Sequence, residues 1–330
     1  MTVTDENLAR TSATPDAPNA EMHALALDLT DTVVEVLGSP DGQRVTHHKG
    51  VVMEGTFTAT PRAAELTRAA HMQGDPVRVT VRYSNGFPSA DPDVDAPDAT
   101  KGDPRGMAVK FYLDDGRRTD LVCQDWPVFP AGTPEDFRDL LRAQHEGPEA
   151  TETFLAEHPD VAAAGAVVDT VGAPPQSWAT MVFHSLNAFR LVNEAGEGQW
   201  VRWKLEPAAG EHSLAEAEWA TADPDYLMAG VVDVLPITYR VMAQLARDDD
   251  QTTDASKAWP ADREWVEMGT IEITGKDGTR ETGGDVLMHD PMRLVDGIEP
   301  SDDPILRIRS FVYAESVRRR SGAGCPMHLR

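Results

Sequence analysis

Residues 77–84 read Val-Arg-Val-Thr-Val-Arg-Tyr-Ser, and this stretch decides the kind of fold. Val77, Val79, Val81 and Tyr83 fall on one side of an extended chain, and Arg78, Thr80, Arg82 and Ser84 on the other. The polar side by itself reads as a half-solvated strand face. Upstream, residues 44–60 are rich in β-branched and aromatic side chains (Val51, Val52, Phe57, Thr58), and Gly50 and Gly55 allow bends or bulges. Between the two strands Thr60-Pro61 opens Ala-Ala-Glu-Leu-Thr-Arg-Ala-Ala-His-Met-Gln, closed by Gly74, which is the pattern of a capped helix. Residues 22–37 have helical spacing and stop at Gly38; residues 1–20 are polar, contain proline and lack periodicity, so they read as an arm.

Downstream, an Asp/Pro/Gly-rich stretch over 89–106 reads as a solvated loop before strands over 107–113 and 119–129. Thr133-Pro134 starts a helix that Gly147 ends, and one or two short helices fill 149–169. Further strands are expected at 189–192, 199–205, 237–242 and 270–273, with helices over 224–234 and 304–320. The elements come in groups, without regular βαβ alternation and without a repeat, which argues for an α+β fold with antiparallel strands.

Composition narrows the function. With Lys+Arg 30 against Asp+Glu 55, the formal charge is −25, a field that repels nucleic acids and anionic membranes. Hydrophobic residues at 41% and charged residues at 26% belong to a folded chain. Cys123 and Cys325 are too few for a disulfide scaffold or a cysteine-built metal site. The first residues have neither a cationic start nor an apolar run, so a cytoplasmic protein is expected.

The last helix poses a chemical question. At about 100° per residue, Arg309, Tyr313 and Arg320 fall within about 40° of one another, with Ile305 and Ser316 on the same side. That face reads either as a solvated basic edge or as a fixed guanidinium that favours the phenolate of Tyr313, one turn away. A phenolate is a hard ligand suited to ferric iron.

Four motifs in order bear on that choice. Arg44-Val45-Thr46-His47-His48-Lys49-Gly50 resembles the distal motif of haem catalases, and Val81-Arg82-Tyr83-Ser84 resembles their arginine-serine strand. Asp103-Pro104-Arg105-Gly106-Met107-Ala108-Val109-Lys110-Phe111-Tyr112 resembles their most recognisable run, and Ile298-Glu299-Pro300-Ser301-Asp302-Asp303 with Arg309-x-x-x-Tyr313 resembles their proximal end. Haem iron held by tyrosine is the standing example of that family. The resemblance spans roughly residues 40–320 and is strongest to the short catalase-related peroxidases, because few residues follow the ligand helix.

The resemblance implies a closed antiparallel β-barrel of about eight strands with surrounding helices and a C-terminal haem-ligand helix. It implies a single catalase-like haem domain over 21–330 behind the arm of residues 1–20. Heme b is the implied cofactor and Tyr313 its iron ligand, with Arg309 bonded to the phenol. Arg44, Arg82 and Arg320 align with the arginines that clamp the haem carboxylates, Phe137 with the ring that stacks on the haem, Ser84 with the serine that orients the distal imidazole, and His47 with the distal acid-base residue. The activity implied is reduction of hydrogen peroxide or organic hydroperoxides by a small organic reductant, with weak catalase activity, in a homodimer or homotetramer.

Two positions depart from the family pattern. Thr46 stands where true catalases usually have valine, as in the coral allene oxide synthase branch, and its hydroxyl could compete for the imidazole. Gln124 stands at the place of the distal asparagine, adding a methylene and a rotor to the amide. Rapid dismutation is therefore not expected. A fatty-acid hydroperoxide isomerase or lyase, and a haem-binding carrier or sensor without turnover, are the alternatives. In an extended segment His47 and His48 point opposite ways, and motif register picks His47. Arg44 and His47, three apart, would oppose each other on an ideal strand, so either Arg44 precedes the strand or a bulge intervenes.

Overall fold

A strand that alternates apolar and polar residues can bury only one face at a time, and this chain solves the problem by rolling its strands around a common lumen. The computed structural model describes residues 17–38, 43–87, 97–277 and 287–321. Its strands are β1 Gly50–Ala59, β2 Val77–Ser84, β3 Gly106–Tyr112, β4 Arg118–Gln124, β5 Phe183–His184, β6 Phe189–Val192, β7 Gly198–Pro207, β8 Ile237–Leu245, β9 Trp265–Lys276 and β10 Ile298–Pro300. All pairings are antiparallel, in the order β7-β5-β4-β3-β2-β1-β9-β8, and β8 pairs back to β7, so eight strands close a barrel. β6 and β10 extend from β7 as a short flap. Closure leaves the barrel strands no free edge.

The lumen takes one side chain in two from each strand: Met53 and Phe57, Val79, Val81 and Tyr83, Met107, Val109 and Phe111, and Cys123 are all buried there. Fully burying a side chain the size of Phe57 contributes on the order of 1.5–3 kcal/mol. The β1–β9 register shifts between Glu54 and Gly55, where a Cβ on Gly55 would stand 2.3 Å from the Glu272 carbonyl oxygen, so the bulge requires glycine.

The helices are α1 Ala17–Leu37, α2 Pro61–Leu66, α3 Pro134–Glu146, α4 Pro148–Glu157, α5 Pro159–Val168, α6 Glu216–Trp219, α7 Tyr226–Gly230 and α8 Pro304–Ser321. A second apolar cluster outside the barrel joins α1 (Ala26, Leu29, Val33), α3 (Leu141) and α8 (Ile308) with Val45. α3 begins as its sequence indicates: the Asp136 N–H donates to Thr133 Oγ1 at 3.1 Å, ahead of Pro134.

Several local expectations give way to tertiary contacts. The helix expected over 61–73 stops at Leu66, because Thr67 adopts an extended conformation, donates from Oγ1 to the Gly297 carbonyl at 2.6 Å and accepts the Ala69 N–H at 3.1 Å. Most of the β2 face that reads as half-solvated is buried: Thr80 Oγ1 donates to Tyr112 Oη, and Arg82 and Ser84 are bonded to residues 47–48, while Arg78 stays exposed. The loop expected to be solvated over 89–106 is, in its described part, a buried polar plug. Asp98 accepts from Asn85 Nδ2 and from the Leu227 N–H and pairs with Lys49 at 2.8 Å, and Arg105 Nη2 donates to the carbonyls of Asp98 and Thr100. The strand expected over 119–129 ends at Gln124, the helix expected over 224–234 is only α7, and α1 starts at Ala17 rather than at residue 22. The rest of the expected arm and Cys325 lie outside the described residues.

Candidate active site

The sheet does not begin at Arg44. Residues 43–49 are irregular, β1 starts at Gly50, and His47 sits in the left-handed region at φ 58°, one of two described non-glycine residues to do so with Leu186. That turn resolves the spacing of Arg44 and His47. The strained residue is held from both sides: its N–H donates to the Gly86 carbonyl at 3.0 Å, and Arg82 Nη2 donates to the carbonyls of His47 and His48 at 3.0 Å each. Gly50 lets that guanidinium pass, since a Cβ there would stand 2.4 Å from Arg82 Nη2.

The imidazole lies on the outer face of the barrel. Its Nδ1 and Ser84 Oγ are 3.0 Å apart, and the tautomer that donates from Nδ1 leaves Nε2 as an acceptor. Gly106 makes room, for a Cβ there would stand 3.1 Å from His47 Cε1 and 3.2 Å from Nδ1. Burial, then the positive charges of Arg82 and Arg44, lower the His47 pKa to about 3, so the ring is neutral at physiological pH.

Cross-strand register extends the site. Gly50 opposes Ser84, Ser84 opposes Gly106, and Gly106 opposes Gln124, so the four share one outer row. Gln124 Nε2 is buried without a partner among the described residues, as an amide waiting for a ligand would be. Ser84, not Thr46, engages the imidazole; among the described residues the Thr46 hydroxyl has no hydrogen bond.

α8 carries Tyr313, and its Arg309 lies close enough to His47 for the charge to lower the imidazole pKa. Arg309 Nε donates to its Oη at 3.0 Å, one turn apart, as helical spacing requires. Arg309 Nη1 donates to Asn187 Oδ1 at 2.9 Å, and Asn187 Nδ2 donates to Asp303 Oδ2 at 2.8 Å. Asp303 also caps α8, accepting from the Ile305 and Leu306 N–H groups through Oδ1. Sequence reading missed Asn187 and Asp303 as site residues. Asp303-Pro304 carries a helix-start signal that could have marked the cap, whereas Asn187 is joined to Arg309 only by the fold.

Beside the His47 turn lies a cationic pair. Arg44 Nη2 and Arg320 Nη2 both donate to the Leu287 carbonyl, at 3.0 and 3.1 Å, and Arg320 Nη1 lies 3.4 Å from Ser316 Oγ. Burial and the neighbouring Arg44 lower the Arg320 pKa to about 9. His289, which sequence reading also missed, is buried nearby and held neutral by burial and by Lys110, Arg44, Arg82 and Arg293. Such a pair asks for an anion. The Val45 N–H donates to Ser316 Oγ at 3.2 Å, tying the distal turn to α8. Phe137 is on α3 in the apolar flank that includes Ile308 and Val312, its ring 4.7 Å from that of Phe129.

A haem is a flat apolar ring with two carboxylates and an iron open on two faces, and these residues fit it. Tyr313 offers an oxygen ligand, Arg44 and Arg320 offer donors for the carboxylates, His47 offers a buried imidazole, and Gly106 leaves that ring the space it needs.

Comparison with known proteins agrees. The catalase family profile matches residues 40–326. The chain is 40% identical over 291 residues to a catalase-related peroxidase of Mycolicibacterium paratuberculosis, covering 86% of this chain and 91% of that protein. It is 31% identical over 292 residues to a catalase-related peroxidase of Synechococcus elongatus, covering 85% and 84% of the two. The crystal structure of a fungal catalase superposes with a TM-score of 0.74 at 22% identity, over 91% of this chain and 64% of that one.

Proposed function

The chain belongs to the catalase family, and on that premise we propose that it is a haem-dependent peroxidase that reduces hydrogen peroxide or organic hydroperoxides with an organic electron donor, with weak catalase activity. The observation that carries this reading is a buried neutral imidazole, His47, held on Ser84 and lying close enough to Arg309, the donor to the Tyr313 phenol, for that charge to lower its pKa. Bound haem, taken as heme b, supplies the iron and its redox chemistry. His47 Nε2 accepts the proton of the incoming peroxide and returns it to the departing oxygen, while Ser84 holds the ring in the orientation this transfer needs. Arg309 keeps its N–H on the phenol oxygen, and Asn187 and Asp303 hold Arg309 in place. Gln124 offers its amide N–H to the peroxide.

A homodimer or homotetramer and a cytoplasmic setting belong to the same proposal. The buried, unbridged thiol of Cys123 is consistent with a reducing compartment, and none of the described helices is long and apolar enough to cross a membrane. The relatives give no support to a hydroperoxide isomerase or a haem carrier. Steady-state turnover of hydrogen peroxide, an alkyl hydroperoxide and a fatty-acid hydroperoxide, each with and without a phenol, tests the reading. Turnover should rise with donor. Oxygen release from hydrogen peroxide that is fast and indifferent to donor would make the protein a catalase instead, and lipid isomerisation without donor would make it an isomerase.

A further inference from the structure

Three successive residues at the end of β4 each carry a buried polar atom with no partner among the described residues: Gln124 Nε2, Asp125 Oδ1 and Trp126 Nε1. The peroxide chemistry uses only the first. The Asp125 side chain is 7% exposed, its N–H donates to the Arg105 carbonyl at 3.0 Å, and Arg105 Nη1 stands 3.9 Å from Oδ2. That guanidinium is committed elsewhere, to the carbonyls of Asp98 and Thr100, so it leaves Oδ1 open.

Trp126 faces Phe87, with ring centroids 6.4 Å apart and planes at 63°. Phe87 is 36% exposed, one of two large exposed hydrophobic residues among those described. Asp103 Oδ1 holds the N–H groups of Gly86 and Phe87, and the Gly86 carbonyl in turn holds the His47 N–H. Two aromatic rings therefore sit one residue from the backbone that positions the distal imidazole and two residues from the distal amide. Trp126 itself carries an unpartnered N–H donor, and Asp125, the residue before it, an unpartnered carboxyl oxygen. A hydroxyl on an aromatic ring needs that set: an aromatic surface, a donor and an acceptor. The nearby carboxyls of Asp103 and Asp125 disfavour an anionic occupant.

We propose that Phe87, Trp126 and Asp125 form the docking site of the electron donor, and that the donor is a neutral phenol. The inference rests on the peroxidase reading and names its second substrate. In the overall reaction ROOH + 2 ArOH gives ROH + H2O + 2 ArO•. With haem bound, each phenol would give up one electron toward the peroxide and its hydroxyl proton to the Asp125 carboxylate, and these two protons would complete the alcohol and the water. Burial pushes the Asp125 pKa up to about 8, so the carboxylate form that takes the proton is the minor one at neutral pH and grows as pH rises through about 8.

The test compares two donors on the haem-loaded enzyme: guaiacol, a phenol, and ferrocyanide, an anion that yields an electron and no proton. Calorimetry of guaiacol on the holoenzyme without peroxide should show saturable binding that Trp126→Leu weakens roughly tenfold. The guaiacol-to-ferrocyanide ratio of kcat/KM should fall by about the same factor in Trp126→Leu, and should also fall in Asp125→Asn, which keeps an acceptor but cannot take the proton. The ratio cancels any loss of haem or of folded protein. Ratios unchanged in both variants, or a wild-type enzyme that oxidises ferrocyanide but binds no guaiacol, overturn the site. A holoenzyme that oxidises neither donor overturns the peroxidase reading and this site with it.

Discussion

Asp303→Ala cuts the support of the phenol ligand at its root. The carboxylate serves two structures at once: Oδ1 caps α8 at the Ile305 N–H, 2.8 Å away, and Oδ2 accepts the Asn187 amide at 2.8 Å. Losing a cap costs about 1 kcal/mol. Leaving the fully buried Asn187 N–H without a partner costs a further ~1–3 kcal/mol. Part of this is recovered, because burial works against the carboxylate and holds its pKa above the usual range, so its removal relieves a desolvation cost. The net expectation is a loss of about 2–3 kcal/mol, read as a lower urea midpoint of the apoprotein at unchanged m-value. Asp303→Asn keeps one oxygen for two tasks and should lose about half as much. A functional signature should accompany the loss. With Asn187 free to turn, Arg309 loses the acceptor at 2.9 Å that fixes it against Tyr313, and the absorption spectrum of the ferric holoenzyme should change. A midpoint shift worth less than about 0.5 kcal/mol, with an unaltered spectrum, would refute the reasoning that Asp303, Asn187, Arg309 and Tyr313 act as one chain.

Ser84→Ala removes the hydroxyl 3.0 Å from His47 Nδ1 and should slow the reaction with hydrogen peroxide roughly tenfold, seen by stopped-flow absorbance with haem still bound. An unchanged rate would show that backbone strain and packing on Gly106 suffice to orient the ring. Gln124→Asn shortens the distal amide and should raise hydrogen peroxide turnover; no change in oxygen release would mean that the amide does not limit dismutation. His71, in the lumen between Phe57 and Phe111, has its pKa lowered by burial to about 4. The folded state therefore binds this proton less readily than the unfolded chain, so the contribution is fully present above about pH 6.5 and is lost as pH falls through about 4, a span worth about 3 kcal/mol. His71→Phe should flatten the acid limb of urea-midpoint against pH, and an identical limb would place the acid sensitivity elsewhere.

Local pattern carried the parts of this protein that local physics controls. The alternation of residues 77–84 delivers β2 at its full length, and the i, i+4 spacing of Arg309 and Tyr313 delivers their hydrogen bond, because each depends on neighbours within one strand or one turn. The ordered motifs likewise led to the closed barrel and to the family. Other features were outside the reach of pattern. Thr67 breaks a promising helix because its hydroxyl meets Gly297, 230 residues away. Asn187 becomes part of the site only because Arg309, 122 residues later, folds against it. Arg44 and Arg320 converge on a carbonyl that neither approaches in sequence. Asp98 and Arg105 are polar and lie in a loop-like segment, yet they are buried, because Asp98 meets Asn85, Lys49 and the Leu227 N–H and Arg105 meets the carbonyls of Asp98 and Thr100. Periodicity tells which face of an element is apolar; it cannot tell which polar groups will be drawn out of water, since that is set by the hydrogen-bond partner another part of the chain brings to them. The amino-acid order thus determined the strands, the ligand helix and the chemistry available, and the tertiary structure alone decided which side chains share the site.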